Sequence, residues 1–353
     1  ASSTGDGAGG TVVIWSDLNN LAGGTVVEGT LLASGGPWGG DGGHIETSGP
    51  FLLANPEKID VSSTGGIQGE WLLDPYNITI GGYNSSIEIY NPQPDPISGG
   101  LLFESNATQS HVSVSSIAAN LANGNVRILT GSGNAAEGGN IVWESGHDLD
   151  YSSYSSQLIL DAAGYIQLNS NITTGSGGLS LKASSGYVQG AEAITLSLSG
   201  PLDIATGDNT IGTAGFTSPA LASTLKGTGG LTKSGSGRLI LSGNNVDWTG
   251  TTIVQTGSLR AVGANALGGA SAGTEVQSGG TLEISGGLTI PEPITLAGGK
   301  LMNLSGQNIL TNKILLNGSS TIDLLQGSTL ELKPSSGNAL AVDSSSTAFN
   351  SNL

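Results

Sequence analysis

The sequence predicts an all-β solenoid, a stack of short coils built from strands and tight turns. Three observations carry that expectation. The stretch from Gly227 to Ala261, GTGGLTKSGSGRLILSGNNVDWTGTTIVQTGSLRA, holds three short apolar-alternating runs between clusters of glycine, serine and asparagine. Each run is too short for a helix and each cluster is a turn signal. Apolar residues two apart then recur along the chain: Leu158 and Leu160, Leu179 and Leu181, Leu202 and Ile204. Their spacing of about 20 to 23 residues is long enough for one three-sided turn of a β-helix. Finally, 59 of 353 residues are glycine and only 10% are charged, well below the quarter usual in globular domains.

Composition narrows the function classes. The formal net charge is -17, from 27 acidic and 10 basic residues. A surface of that sign does not attract nucleic acid or an anionic membrane. There is no cysteine, so disulfides and thiolate chemistry are excluded. No apolar run reaches the length that spans a bilayer. The sequence starts at Ala1 without the charged and apolar regions of a signal peptide.

Taken in order, residues 1–80 contain DGAGGTVVIWSD, GGTVVEGTLLASGG, GGDGGHIETSG, FLLANPEKIDVSS and GEWLLDPYNITI. These are strand-length runs rich in β-branched residues, and helix formers are scarce, so strands are expected. Trp15 and Trp71 lie inside apolar runs and are expected in the core. Residues 81–110 break the pattern. Pro92, Pro94 and Pro96 cannot lie in a central strand, so a loop or extruded arm is expected. Residues 111–224 resume as irregular coils. Within them IAANL, Ile117 to Leu121, reads as a broken coil or, alternatively, a short helical turn. Residues 225–353 are the clearest repeats, and Leu239, Leu259 and Leu282 are expected to share one interior neighbourhood. Asn244 and Asn245 end a turn from which amide ladders along the stack are expected.

The runs GGTVVIWSD, ASGGPWGGDGGHIETSG and GEWLLDPYNITI resemble those of filamentous-haemagglutinin-type exoproteins, the secreted partners of two-partner secretion systems. The resemblance covers roughly the first 80 residues and implies a right-handed parallel β-helix. The amino-terminal secretion domain of that family is missing, which implies a piece of a longer exported protein. GTGGLTKSGSGRLILSGNN followed by TGTTIVQTGSLRAVGANALG resembles the passenger-associated repeat of autotransporter adhesins. It implies a β-helical passenger on the outer surface of a Gram-negative cell, exported through an outer-membrane pore.

Candidate chemistry is sparse. His147, Asp148 and Asp150 in GHDLDY form the densest polar cluster. They would serve a carbohydrate-active β-helical enzyme only if two carboxylates faced each other across a groove; a solvated loop is the plainer reading. His44, His111 and His147 lack ligand spacing, so no metal or other cofactor is expected. Asp6 and Asp41 look like calcium-loop remnants but read better as turn residues. Asn77 and Asn171 begin N-I-T sequons. Trp38, between Pro37 and Gly39, is the aromatic expected to be most exposed. Tyr151 and Tyr154 are candidate sugar-stacking rings, and Tyr90 and Asp95 belong to a loop, Tyr90 to Gly100, expected to act as a recognition protrusion. The function expected is that of a secreted, non-catalytic adhesin segment. Its expected partners are surface glycans, matrix polysaccharide or sister molecules in aggregation and biofilm. The alternatives are the enzyme and a passive spacer holding a toxin or adhesive tip.

Overall fold

The computed structural model describes residues 1–16, 24–82, 93–94, 101–102, 110–131, 138–207 and 220–342. The chain divides into two compact units, Ala1–Ser170 with Gly175–Gly177, and Asn171–Thr174 with Gly178–Leu353. Each is a parallel β-helix whose coils turn through three sheet faces.

In the first unit one face stacks Thr11–Trp15, His44–Ser48, Glu70–Asp74, Asn125–Leu129 and Leu158–Ala162 in parallel. Alternation along each strand sends every second side chain inward. Stacking in register then turns those side chains into columns. Val12, Ile45, Trp71, Val126 and Leu158 form one column. Ile14, Thr47, Leu73, Ile128 and Leu160 form the next. Ile45, Trp71, Leu73, Val126, Ile128, Leu158 and Leu160 are fully buried, each contributing about 1.5 to 3 kcal/mol. The indole N–H of Trp71 donates to Thr47 Oγ1 at 3.1 Å, so the polar atoms in this interior satisfy each other across coils.

Trp15 departs from expectation: it is 67% exposed. Both parities of Thr11–Trp15 are apolar, so alternation alone did not say which pair turns in. Val12 and Ile14 oppose the inward Ile45 and Thr47, which sends Val13 and Trp15 outward.

The second face of this unit is out of chain order. Phe51–Ala54 pairs with Ser110–Ser113, which in turn pairs with Ile78–Gly81. The strand that returns from residues 83–109 is thus wedged between two earlier ones. It continues into the α-helix Val114–Leu121, not a broken coil. The Ser113 side chain caps the helix by accepting from Ser116 N at 3.1 Å. Ile117 and Leu121 are buried. Asn120 Oδ1 accepts from Ile59 N at 2.7 Å, closing the open edge of the third-face strand Lys58–Asp60 where the helix replaces the next strand.

The second unit is more regular. Its first face stacks Leu179–Ala183, Leu202–Thr206, Leu231–Ser234, Thr252–Val254, Thr274–Gln277, Ile294–Ala297, Ile314–Asn317 and Leu340–Val342. Its second face carries the column Leu239, Leu259, Leu282, Leu301 and Ile322. Leu239, Leu259 and Leu282 are buried side by side, as the repeat spacing requires. Corners between faces need glycine where the chain turns left-handed. At Gly257, φ is 69° and a Cβ would collide with the carbonyl oxygens of Gly235 and Gly237.

Asparagine clamps successive coils at the corners of both units. Asn77 Oδ1 accepts from Asn140 N at 2.6 Å and Asn140 Oδ1 from Tyr165 N at 3.1 Å. Asn171 Oδ1 takes Thr195 N at 2.8 Å, and Asn308 Oδ1 takes Leu288 N at 2.7 Å. The two N-I-T asparagines are therefore corner brackets between coils.

Candidate functional site

The most exposed aromatic ring among the described residues is Trp38, at 83%. It rides a tight turn closed by a bridge between Gly36 and Gly39. The turn rests on the amino-terminal segment through Gly36 N to Gly7 O at 3.0 Å and Trp38 N to Gly5 O at 3.4 Å. Glycine is needed at Gly40, where φ is 113° and a Cβ would strike the Gly7 carbonyl. One coil further on, Ile67 is 75% exposed, and its N–H donates to Asp41 Oδ1 at 2.8 Å. Ser63 Oγ donates to Gly40 O at 2.8 Å. Trp38 is thus held out to solvent on backbone that is fixed from two sides. Asp41 follows that turn and holds the backbone of the next coil.

The other expected contact residues separate. Tyr151 is buried, and burial pushes its phenol up from the ordinary value. Its ring offers no platform, which corrects that expectation. Tyr154 is 38% exposed. Tyr90 and Asp95 lie outside the described residues. Asp148 and Asp150 are exposed. Asp150 Oδ1 accepts from Ser152 N at 2.9 Å, and that backbone hydrogen bond holds its carboxyl below the ordinary value. The pair lies at the short strand Leu149–Asp150 with both side chains toward solvent.

Two of the three histidines, distant in sequence, meet in space. His111, Glu144 and His147 surround Gly81 and Gly82, where added Cβ atoms would run into their side chains. Glu144 Oε2 lies 3.8 Å from His147 Nε2. Burial pushes the His111 imidazole below its ordinary value, with the Glu144 charge opposing. The wedged strand Ser110–Ser113 delivers His111, and no spacing rule could have placed it there. Among the described residues no group of three such side chains is arranged to hold a metal ion, and no helix is long and apolar enough to cross a membrane.

In the second unit the organised chemistry is internal. Lys233 points inward from Leu231–Ser234, between Ile204 and Val254 in the column, and is fully buried. Its ammonium donates to the carbonyls of Ser234 at 2.5 Å, Gly235 at 3.1 Å and Thr256 at 3.3 Å. Desolvation pushes its pKa down to about 8. Asn245, also buried, joins three coils: its Oδ1 accepts from Leu225 N at 2.8 Å and its Nδ2 donates to Ala266 O at 2.7 Å. Asn265 Nδ2 donates to the Oδ1 of the exposed Asn244 at 2.8 Å, one rung of the expected amide ladder. Trp248 is buried and donates its indole N–H to Gly229 O at 2.7 Å. On the outer side, Glu283 takes Arg238 Nη2 at 3.0 Å and Arg260 Nε at 2.8 Å. Each of these groups ties one coil to another.

Part of this region matches a known family. Residues 231–261 match the family model described as passenger-associated-transport-repeat. A stretch of 169 residues, 48% of this chain, is 31% identical to the adhesin BmaC autotransporter of Brucella suis biovar 1 (strain 1330). The match spans 4% of that relative's length. Both matches support an autotransporter passenger of the adhesin kind. Sequence reading missed the roles of Lys233 and Asn245. The signal for Lys233 was available in its parity with Leu231, which puts a lysine on the inward side of a short strand.

Proposed function

We propose that the chain is a non-catalytic segment of a secreted adhesin passenger, displayed at the surface of a Gram-negative cell. The in-register coil stack at residues 231–261, which coincides with the passenger-repeat match, carries this reading. The coils supply stiffness, and their turns supply contacts. Trp38 is the residue we assign to partner contact, because it offers a bare ring face on a fixed turn. A neutral glycan or matrix polysaccharide suits it: sugar rings stack on indole, and a chain of net charge -17 repels polyanions. Residues 90–100 are a second proposed contact, resting on their sequence alone. Two-partner export rests only on the resemblance of residues 1–80, whereas the matches favour an autotransporter route.

Retention on a glycan array tests the reading. Trp38→Ala should weaken retention about tenfold, equivalent to about 1.4 kcal/mol, with the melting temperature unchanged. Retention that survives both this change and deletion of residues 92–97 would remove these contacts from the account. Release of reducing or unsaturated sugar would replace the adhesin with an enzyme.

A further inference from the structure

Glu292 occupies the corner Pro291-Glu292-Pro293, immediately before the strand Ile294–Ala297. It shares parity with the buried Ile294 and Leu296, and is itself 1% exposed. Neither Oε1 nor Oε2 has a hydrogen-bond partner. The flanking prolines have no N–H to donate. Register sets Thr274 opposite Ile294 and Ile294 opposite Ile314. Ala272 and Asn312 are therefore the equivalents of Glu292 in the coils on either side. Ala272 carries no donor. Asn312 is committed elsewhere, its Nδ2 to Pro291 O at 3.3 Å and its Oδ1 to Lys313 N at 2.8 Å. The hydroxyls of Thr252 and Thr274, further along the interior column, are also buried and unpartnered.

Among the described residues no cation compensates the carboxyl. The adjoining segments 270–274 and 307–312 contain no charged residue. Glu275, on the strand Thr274–Gln277, has outward parity and accepts from Gln277 Nε2 at 2.8 Å. Lys313, before Ile314–Asn317, is exposed. Lys300 pairs with Asp323, and Glu283 is held by Arg238 and Arg260. Lys333 pairs with Glu331 at 2.8 Å.

We propose that Glu292 is carried as the neutral acid inside the closed coil, so that closing this part of the stack takes up a proton and alkaline conditions loosen it. An ionised carboxylate here would lose its hydration and gain neither donor nor counter-charge. Burial alone pushes this carboxyl from 4.5 up to about 8. Across that window the folded chain keeps a proton that the unfolded chain has released. Its contribution is complete below 4.5 and is lost as pH rises through about 8.

The test compares denaturation midpoints of the whole chain and its Glu292→Gln variant from about pH 5 to 9. Unfolding of the native chain should release one proton more than unfolding of the variant, and above pH 8 the variant should be the more stable. Taking the difference removes the contribution of Asp74, which burial and the Glu46 charge push up to about 6. Parallel pH profiles, or a variant less stable at pH 9, would overturn the proposal. Should the variant not fold, infrared spectra of the native chain decide. A buried neutral carboxylic-acid band should be present at pH 7 and vanish as pH passes about 8; its absence at pH 7 overturns the proposal.

Discussion

At Lys233 two effects oppose each other. Three carbonyls solvate the ammonium, yet burial strips its water, and the second effect wins: the pKa falls from 10.5 to about 8. The sign for stability follows. Between about 8 and 10.5 the folded chain has shed a proton that the unfolded chain keeps, so stability rises with pH there. Below 8 the lysine carries its full desolvation cost. Lys233→Met should flatten that rise, which denaturant midpoints from pH 7.5 to 10.5 would show; an unchanged slope would mean that the ammonium is better solvated than its burial indicates. Single residues also mark where sequence was readable. Leu239, Leu259 and Leu282 were legible because only one parity of each strand is consistently apolar. Trp15 was not, because both parities of its strand are apolar and only the neighbouring coil decides between them.

At the scale of elements, the irregular piece is the wedged strand and its helix. Pro92, Pro94 and Pro96 announced an interruption, but nothing local announced that the chain would return between two earlier strands. Such an insertion is a non-local fact, invisible to periodicity. It is also why His111 and His147 meet although 36 positions separate them in the sequence. The helix Val114–Leu121 takes the place of a third-face strand, and the edge of Lys58–Asp60 that it leaves is met at Ile59 N by Asn120. Asn120→Ala should cost about 1 to 3 kcal/mol, the usual penalty for stranding a buried donor. Amide exchange at Ile59 should accelerate while exchange at Leu259, in the other unit, stays slow. Equal acceleration at both would show the seam to be no local weak point.

At the scale of the whole chain, the balance is between columns that add coil by coil and charge that accumulates with them. Coil after coil between the two ends brings its own buried leucine or isoleucine, so the interior needs no single centre. The outer surface is poor in charge, yet what it has is mostly acidic, and -17 without matching cations is a self-repelling load. Salt should relieve it. Raising ionic strength from about 0.01 M to 0.15 M shortens the screening length from about 30 Å to 8 Å, so the thermal midpoint should rise. Retention on a neutral glycan through Trp38 should not change, because ring stacking involves no counter-ion release. Salt-weakened retention would instead assign binding to the few cations on the surface, and the indole would lose its role. The same measurement therefore separates a contact made by one fixed turn from one spread over the charge of the chain.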